Sequence, residues 1–296
     1  MRANLTGWLL PVPSADMLRT ALLAAARSPV VRSAVERSAV TRPVVERFIA
    51  GTTVGEVVEV ARSITADRLV TIDYLGEDVT DRARVDATVR AYSILLRQLR
   101  AEGLASKAEV SVKLSALGSR LPGDGAKIAY EAAHQICQAA AAAGTTVTVD
   151  MEDHTTTDLV LGTVRELRRD FPWVGAVVQA QLRRTETDCY DLAGPGSRVR
   201  LCKGAYDAPA GVAFRSRHEV DQSFARCLRI LMAGRGVPMV ATHDPRLTEL
   251  ARQLGARRDG DYELQMLYGV RPAAQTALAA AGERVRVYLP YGTEWY

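Results

Sequence analysis

The sequence predicts an α/β fold: a distorted (βα)8 barrel of the TIM type behind an N-terminal helical arm. Three observations carry that prediction. Eight short runs rich in Val, Ile, Leu or Thr alternate with seven stretches of helical period from residue 68 onward. Strands that alternate with helices pair in parallel through right-handed crossovers, and eight of them favour closure over an open sheet. The length, 296 residues, suits one barrel.

Residues 1–67 form the arm, whose first 50 residues are short amphipathic segments broken by Pro11, Pro13, Pro29 and Pro43. The barrel takes residues 68–296. Its strands are expected at 69–75, 109–114, 146–151, 176–182, 198–202, 239–243, 262–267 and 285–288. The helices between them are expected at 81–102, 126–143, 156–170, 185–192, 217–235, 245–254 and 271–281. No eighth helix follows the last strand within the sequence. Side chains alternate along a strand, so each run has two faces. One face is aliphatic, as in Val70/Ile72 or Val147/Val149, and suits a covering layer of helices. The other carries Thr71/Asp73, Ser111/Lys113, Thr148/Asp150, Gln179/Gln181, Arg198/Arg200, His243, Glu263/Gln265 and Arg286/Tyr288. Barrel interiors are usually aliphatic. A lumen this polar needs internal pairing, such as Asp150 with Arg200, and a polar ligand at the barrel mouth.

Composition removes several function classes. A net charge of +4 without a basic stripe gives no reason to expect a nucleic-acid partner. Cys137, Cys189, Cys202 and Cys227 form no CxxC and no Cys/His cluster, and read as free thiols. No apolar run reaches the roughly 18 residues of a membrane span, and the N-terminus lacks a clean secretory signal. No GxGxxG follows a strand, which disfavours a Rossmann nucleotide site.

The chemistry-bearing residues gather at strand ends. Lys113 can bind an anion, form a Schiff base, or pair structurally with Asp73 or Asp150. Asp150-Met-Glu-Asp-His154 resembles a metal or acid–base site. No second strand supplies matching ligands, however, so no metal is expected, and Asp153 suits a cap. Arg200-Leu-Cys-Lys-Gly-Ala-Tyr206 joins positive charge to a glycine that permits close approach of a ligand. Ala241-Thr-His-Asp-Pro245 ends the sixth strand, with Pro245 placed to start a helix.

Taken in order, these strand ends resemble the proline dehydrogenase family. The matching pieces are Asp73-Tyr-Leu-Gly-Glu77, Ser111-Val-Lys-Leu-Ser115, Val149-Asp-Met-Glu152, Gln179-Ala-Gln181, Arg200-Leu-Cys-Lys-Gly-Ala-Tyr206, Ala241-Thr-His243, Glu263-Leu-Gln-Met-Leu267 and Tyr288-Leu-Pro-Tyr-Gly292. The resemblance implies oxidation of L-proline to Δ1-pyrroline-5-carboxylate by hydride transfer to N5 of non-covalent FAD, with a membrane quinone as final acceptor. It also implies a cytoplasmic protein with peripheral contact at the inner face of the cell membrane.

Carried over residue by residue, the resemblance makes Arg200 and Asp150 the catalytic pair. Met151, Gln179, Arg200, Lys203, Gly204, Ala205, Thr242 and His243 would hold the flavin. Lys113, Tyr206, Leu267 and Tyr288 would hold proline, and Asp73 and Glu77 would belong to a gate. The family also carries an arginine pair on the helix after the last strand, which clamps the proline carboxylate. Its expected place lies beyond Tyr296, so the chain is expected to be truncated at that end.

Two other readings compete. One is a Schiff-base aldolase or lyase using Lys113 or Lys203 with Asp150. The other is a flavin-binding form that has lost its substrate clamp.

Overall fold

A computed structural model describes residues 47–294, which belong to one compact unit. The arm up to residue 46 lies outside the described residues. Eight strands close into a parallel barrel in sequence order: β1 (Leu69–Tyr74), β2 (Ala108–Val112), β3 (Val147–Val149), β4 (Gly175–Gln179), β5 (Arg198–Cys202), β6 (Val237–Ala241), β7 (Glu263–Leu267) and β8 (Val285–Tyr291). β8 returns to β1 along six paired positions, from Leu69 opposite Arg286 to Tyr74 opposite Tyr291.

The expected helices are present as α2 (Arg82–Ala101), α3 (Gly125–Ala143), α4 (Thr157–Asp170), α5 (Thr185–Leu192), α6 (Arg217–Ala233), α7 (Pro245–Gly255) and α8 (Pro272–Ala280). Their ends follow local chemistry. Asp81 caps α2 by accepting from the Arg84 N–H. Ser216 and Glu219 form a reciprocal capping box on α6. Asp244 caps α7, and Pro245 takes its first turn. Gly144 closes α3 at φ +83°. Asp153 caps a short 3-10 turn, His154–Thr156, ahead of α4.

One further helix, α1 (Val54–Ile64), precedes β1 and opens with a capping box between Thr53 and Glu56. Its buried face, Val57, Val58, Ala61 and Ile64, packs against both β1 and β8. It therefore covers the seam where the sheet closes.

The aliphatic strand faces pack outward on the helices. Val110, Val112, Val147 and Val149 join the cluster around α1–α4, while Val199, Leu201 and Val240 join Phe224, Leu228 and Leu231 of α6. Burying each such side chain contributes about 1.5–3 kcal/mol.

The opposite faces fill the lumen with polar groups. Arg198 on β5 reaches Glu109 on β2 at 2.6 Å, a contact between strands that are not neighbours and so run through the interior. Arg286 on β8 forks onto both oxygens of Glu263 on β7, at 2.7 and 2.9 Å. The polar lumen expected from strand alternation is present, and its charged groups are paired with opposite charges.

Several ladders stop earlier than the sequence suggested. β2 ends at Val112, β3 at Val149, β4 at Gln179 and β6 at Ala241. Lys113 and Asp150 therefore stand one position beyond the ladder, and His243 two. Single backbone bonds still tie these positions to the neighbouring strands, as from the Asp150 N–H to the Val112 carbonyl at 2.8 Å and from the Thr242 N–H to the Gln265 carbonyl at 3.2 Å.

Candidate active site

The C-terminal strand ends surround a cavity of about 600 Å³. Asp150 and Met151 follow β3, Gln179 ends β4, and Arg200 stands inside β5. Lys203, Gly204, Ala205 and Tyr206 follow β5; Thr242 and His243 follow β6; Leu267 ends β7; Tyr288 lies in β8. All of these line the cavity. Three other expected residues, Lys113, Asp73 and Glu77, do not line it and connect to it through Tyr288, Asp150 and Tyr206.

Arg200 is the centre of the floor and is 5% exposed. Its Nη1 donates to Asp150 Oδ1 at 2.5 Å and to Ser111 Oγ at 3.1 Å. Its Nε donates to Gln265 Oε1 at 2.7 Å, and Tyr288 presents its ring 5.2 Å from the guanidinium carbon. Burial works against the guanidinium charge, but Asp150 and Glu109 outweigh it and hold the group firmly protonated. Asp150 Oδ2 accepts from the Tyr288 hydroxyl at 2.7 Å, so one carboxylate locks two cavity walls. Burial and the Asp150 and Asp73 charges push the Tyr288 phenol well above its ordinary range, and it remains a donor.

Lys113 Nζ lies 2.6 Å from Asp73 Oδ2 and 3.5 Å from both Asp150 Oδ2 and the Tyr288 hydroxyl. Burial disfavours its charge, yet the two carboxylates raise its pKa well above the ordinary lysine value. A Schiff-base nucleophile needs a neutral amine, so this environment opposes that reading. Lys203 is similarly engaged, with Nζ 2.5 Å from Asp221 on α6 and 3.3 Å from Asp244 at the start of α7. Its ammonium is turned into an ion cluster that also includes Arg246.

Gly204 is required by shape. It sits at φ +106°, and a Cβ there would fall 2.4 Å from the Gln181 carboxamide carbon. The chain then delivers Tyr206, whose hydroxyl donates to Glu77 Oε1 at 3.2 Å. Across the cavity, His243 Nε2 accepts the Leu267 N–H at 2.9 Å. Burial and nearby Arg271 lower the His243 pKa, which keeps that nitrogen available as an acceptor. Gln179 donates from Nε2 to the Met151 and Glu152 carbonyls, at 3.2 and 3.1 Å, while its buried Oε1 has no partner.

Sequence reasoning did not assign site roles to Gln265, which orients Arg200, or to Asp221, which takes Lys203. It also passed over Glu109. Gln265 and Glu109 were detectable, because each alternates in register with luminal residues of its own strand. Asp221 left no such signal: an aspartate on an amphipathic helix reads as solvated surface.

Comparison with known proteins gives the family and the fold. A proline dehydrogenase family profile matches residues 58–294. Proline dehydrogenase of Deinococcus radiodurans is 33% identical over 288 residues, covering 95% of this chain and 91% of that protein. Proline dehydrogenase 1 of Bacillus subtilis strain 168 is 32% identical over 254 residues, covering 84% and 82%. Among solved structures, proline utilization A from Bdellovibrio bacteriovorus, inactivated by N-propargylglycine, superposes with a TM-score of 0.76 at 22% identity. That match covers 95% of this chain, which spans about a third (34%) of that longer protein, and it supports the barrel fold. The chain belongs to the proline dehydrogenase family, a family of oxidoreductases.

Proposed function

We propose that the protein oxidises L-proline to Δ1-pyrroline-5-carboxylate with FAD held non-covalently in the barrel-mouth cavity, electrons passing on to a membrane quinone. The observation that carries this reading is the floor of the cavity: a buried arginine fixed by Asp150 and Gln265, beside a buried Gln179 oxygen without a partner. A flavin ring fits that donor set, since its edge presents both acceptors for a guanidinium and an imide N–H for a lone carbonyl oxygen. Gly204 adds the backbone approach that a flat ring requires. When bound, the flavin supplies the hydride acceptor.

The chain's own residues do the rest. Arg200 donates toward the flavin edge and stabilises negative charge that develops there, without reorganising at the moment of reaction. Asp150 holds Arg200 in place and keeps Tyr288 aimed inward. Gln179, Met151, Gly204 and Ala205 bracket the ring, with Lys203 beside them. Thr242 and His243 take the nucleotide half. Lys113 balances the substrate carboxylate, while Tyr206, Leu267 and Tyr288 wall the proline ring. Asp73 and Glu77 act as a gate by holding Lys113 and Tyr206. Among the described residues no helix is long and apolar enough to cross a membrane.

The test is spectroscopic. The full chain is incubated with FAD, freed of excess, and titrated anaerobically with L-proline. Bleaching of the bound flavin, followed by reoxidation with a quinone analogue, supports the reading. A flavin that stays oxidised at saturating proline overturns it. Arg200→Met is expected to retain flavin and lose turnover by about 10²-fold or more.

A further inference from the structure

Glu109 sits beneath the cavity floor, 1% exposed, and is shared by three arginines. Its Oε2 accepts from Arg198 Nη2 at 2.6 Å and from the Thr146 hydroxyl at 3.1 Å. Its Oε1 accepts from the Thr71 hydroxyl at 2.7 Å and faces Arg200 Nη2 at 3.5 Å and Arg286 Nε at 3.8 Å. The other luminal carboxylates are less widely shared. Asp150 serves Arg200 and Lys113, and Glu263 serves Arg286 and Arg284. Among the described residues, Glu109 is the carboxylate that Arg198, Arg200 and Arg286 have in common.

The guanidinium of Arg200 is a planar fork. Gln265 holds its Nε and Asp150 with Ser111 holds Nη1, which fixes the plane. Nη2 has Glu109 as its protein partner, at a distance too long for a strong hydrogen bond but short for two charges in a dry interior. Glu109 therefore acts on Arg200 mainly through its field. The luminal column contains three guanidiniums, the half-buried Arg198 and the buried Arg200 and Arg286, against three buried carboxylates, Asp150, Glu109 and Glu263. Its balance depends on Glu109 remaining an anion.

We propose that Glu109 is a positioning residue that sets, from below, how much net positive charge Arg200 presents to the cavity. It touches neither the cavity nor a reactant. It acts by neutralising the Arg198–Arg200–Arg286 cluster so that Arg200 is an oriented donor and not the tip of an excess cationic field. The functional meaning rests on the role given to Arg200 above. The field itself can be read without cofactor, because Cys202 lines the same cavity two positions after Arg200 on β5; burial pushes its thiol up to about 11, and the Arg200 charge works against that rise.

Two readouts decide it, in the wild type, Glu109→Gln, Arg198→Gln and the double variant. The first is the alkylation rate of Cys202 in flavin-free protein at one fixed, mildly alkaline pH, with modification of that cysteine located by peptide mass. Loss of the Glu109 charge should favour the thiolate and speed alkylation about tenfold, and loss of Arg198 should slow it. The double variant, which removes one charge of each sign, should return close to the wild-type rate. The second readout is the affinity of bound FAD for sulfite, whose adduct is anionic; it should tighten, weaken and return in the same order.

A merely structural Glu109 would lower thermal stability in all three variants without giving opposite signs or a return in the double one, and that pattern overturns the proposal. If Glu109→Gln does not fold, equality of Arg198→Gln with the double variant in Cys202 reactivity overturns it equally. If the wild type binds no flavin, the proposed function fails, while the thiol readout still decides the role of Glu109.

Discussion

Arg200 and Asp150 meet at 2.5 Å although their strands, β5 and β3, are separated by β4 in the sheet. The contact crosses the lumen, and both partners are nearly inaccessible. Removing one partner of such a pair leaves an uncompensated buried charge, which costs about 3–5 kcal/mol. Asp150→Ala is expected to lose that much stability by urea denaturation and to lose most proline-dependent dye reduction. Asp150→Asn, which keeps a hydrogen-bond acceptor for Arg200, should be milder in stability and nearly as impaired in turnover. Equal stability of Asp150→Ala and wild type would contradict this account.

Lys113 offers a separate test, because its ammonium is the positive charge beside Asp73 and Tyr288. Lys113→Met should raise the KM for proline about tenfold or more, with kcat changed less, as expected when an interaction common to ground and transition states is lost. The variant also strands Asp73, so a Lys113→Met, Asp73→Asn double variant should recover stability without recovering KM. Steady-state kinetics and thermal melts on both variants separate the two effects.

At Gly204 the prediction is steric. Alanine there must adopt φ +106° and push back the Gln181 side chain, whose Nε2 holds the Tyr206 carbonyl. A cost of about 1–3 kcal/mol is expected from the backbone conformation alone. Gly204→Ala should therefore melt earlier and carry less flavin per chain, measured from the visible-to-ultraviolet absorbance ratio.

Acid should weaken the luminal ion pairs. Burial raises the Glu109 pKa, but Arg198, Arg286 and Arg200 more than reverse this, and the group ends well below the ordinary glutamate value of 4.5. Glu263 is lowered in the same way against Arg286. A depressed carboxylate stabilises the fold above its unfolded pKa and loses that contribution as pH falls toward the folded value. Stability should thus decline below about pH 4.5, and Glu109→Gln should show a shallower acid limb from a lower starting point. Chemical denaturation at several pH values reads both slopes.

Much of this was legible in the residue order. The alternation of Ser111 with Lys113, or of Arg198 with Arg200, separated lumen from outer wall because a strand has a period of two. Asp150 could be matched to Arg200 because few other partners can stabilise a charge inside a barrel. What escaped were contacts that depend on closure. Glu109 finds Arg198 and Gln265 finds Arg200 only across a lumen whose registers the sequence does not state. The ion pair of Lys203 with Asp221 likewise joins a strand end to a helix 18 positions away. The helix α1 lies inside the stretch read as a helical arm, but its packing was not legible, because its partner β8 lies at the far end of the chain.

That helix has a consequence for how the molecule assembles. The seam it covers joins β1 to β8, and the Arg286 side chain there bonds the Val70 carbonyl across 216 positions of chain. During synthesis α1 and β1 emerge long before β8 and wait for it with the face that β8 covers still open. Closing so long a loop is entropically slow, so seam formation should be a late event in folding, after the strands between have begun to pair. Until then the exposed flank of β1 and α1 is the segment most open to aggregation or to a chaperone.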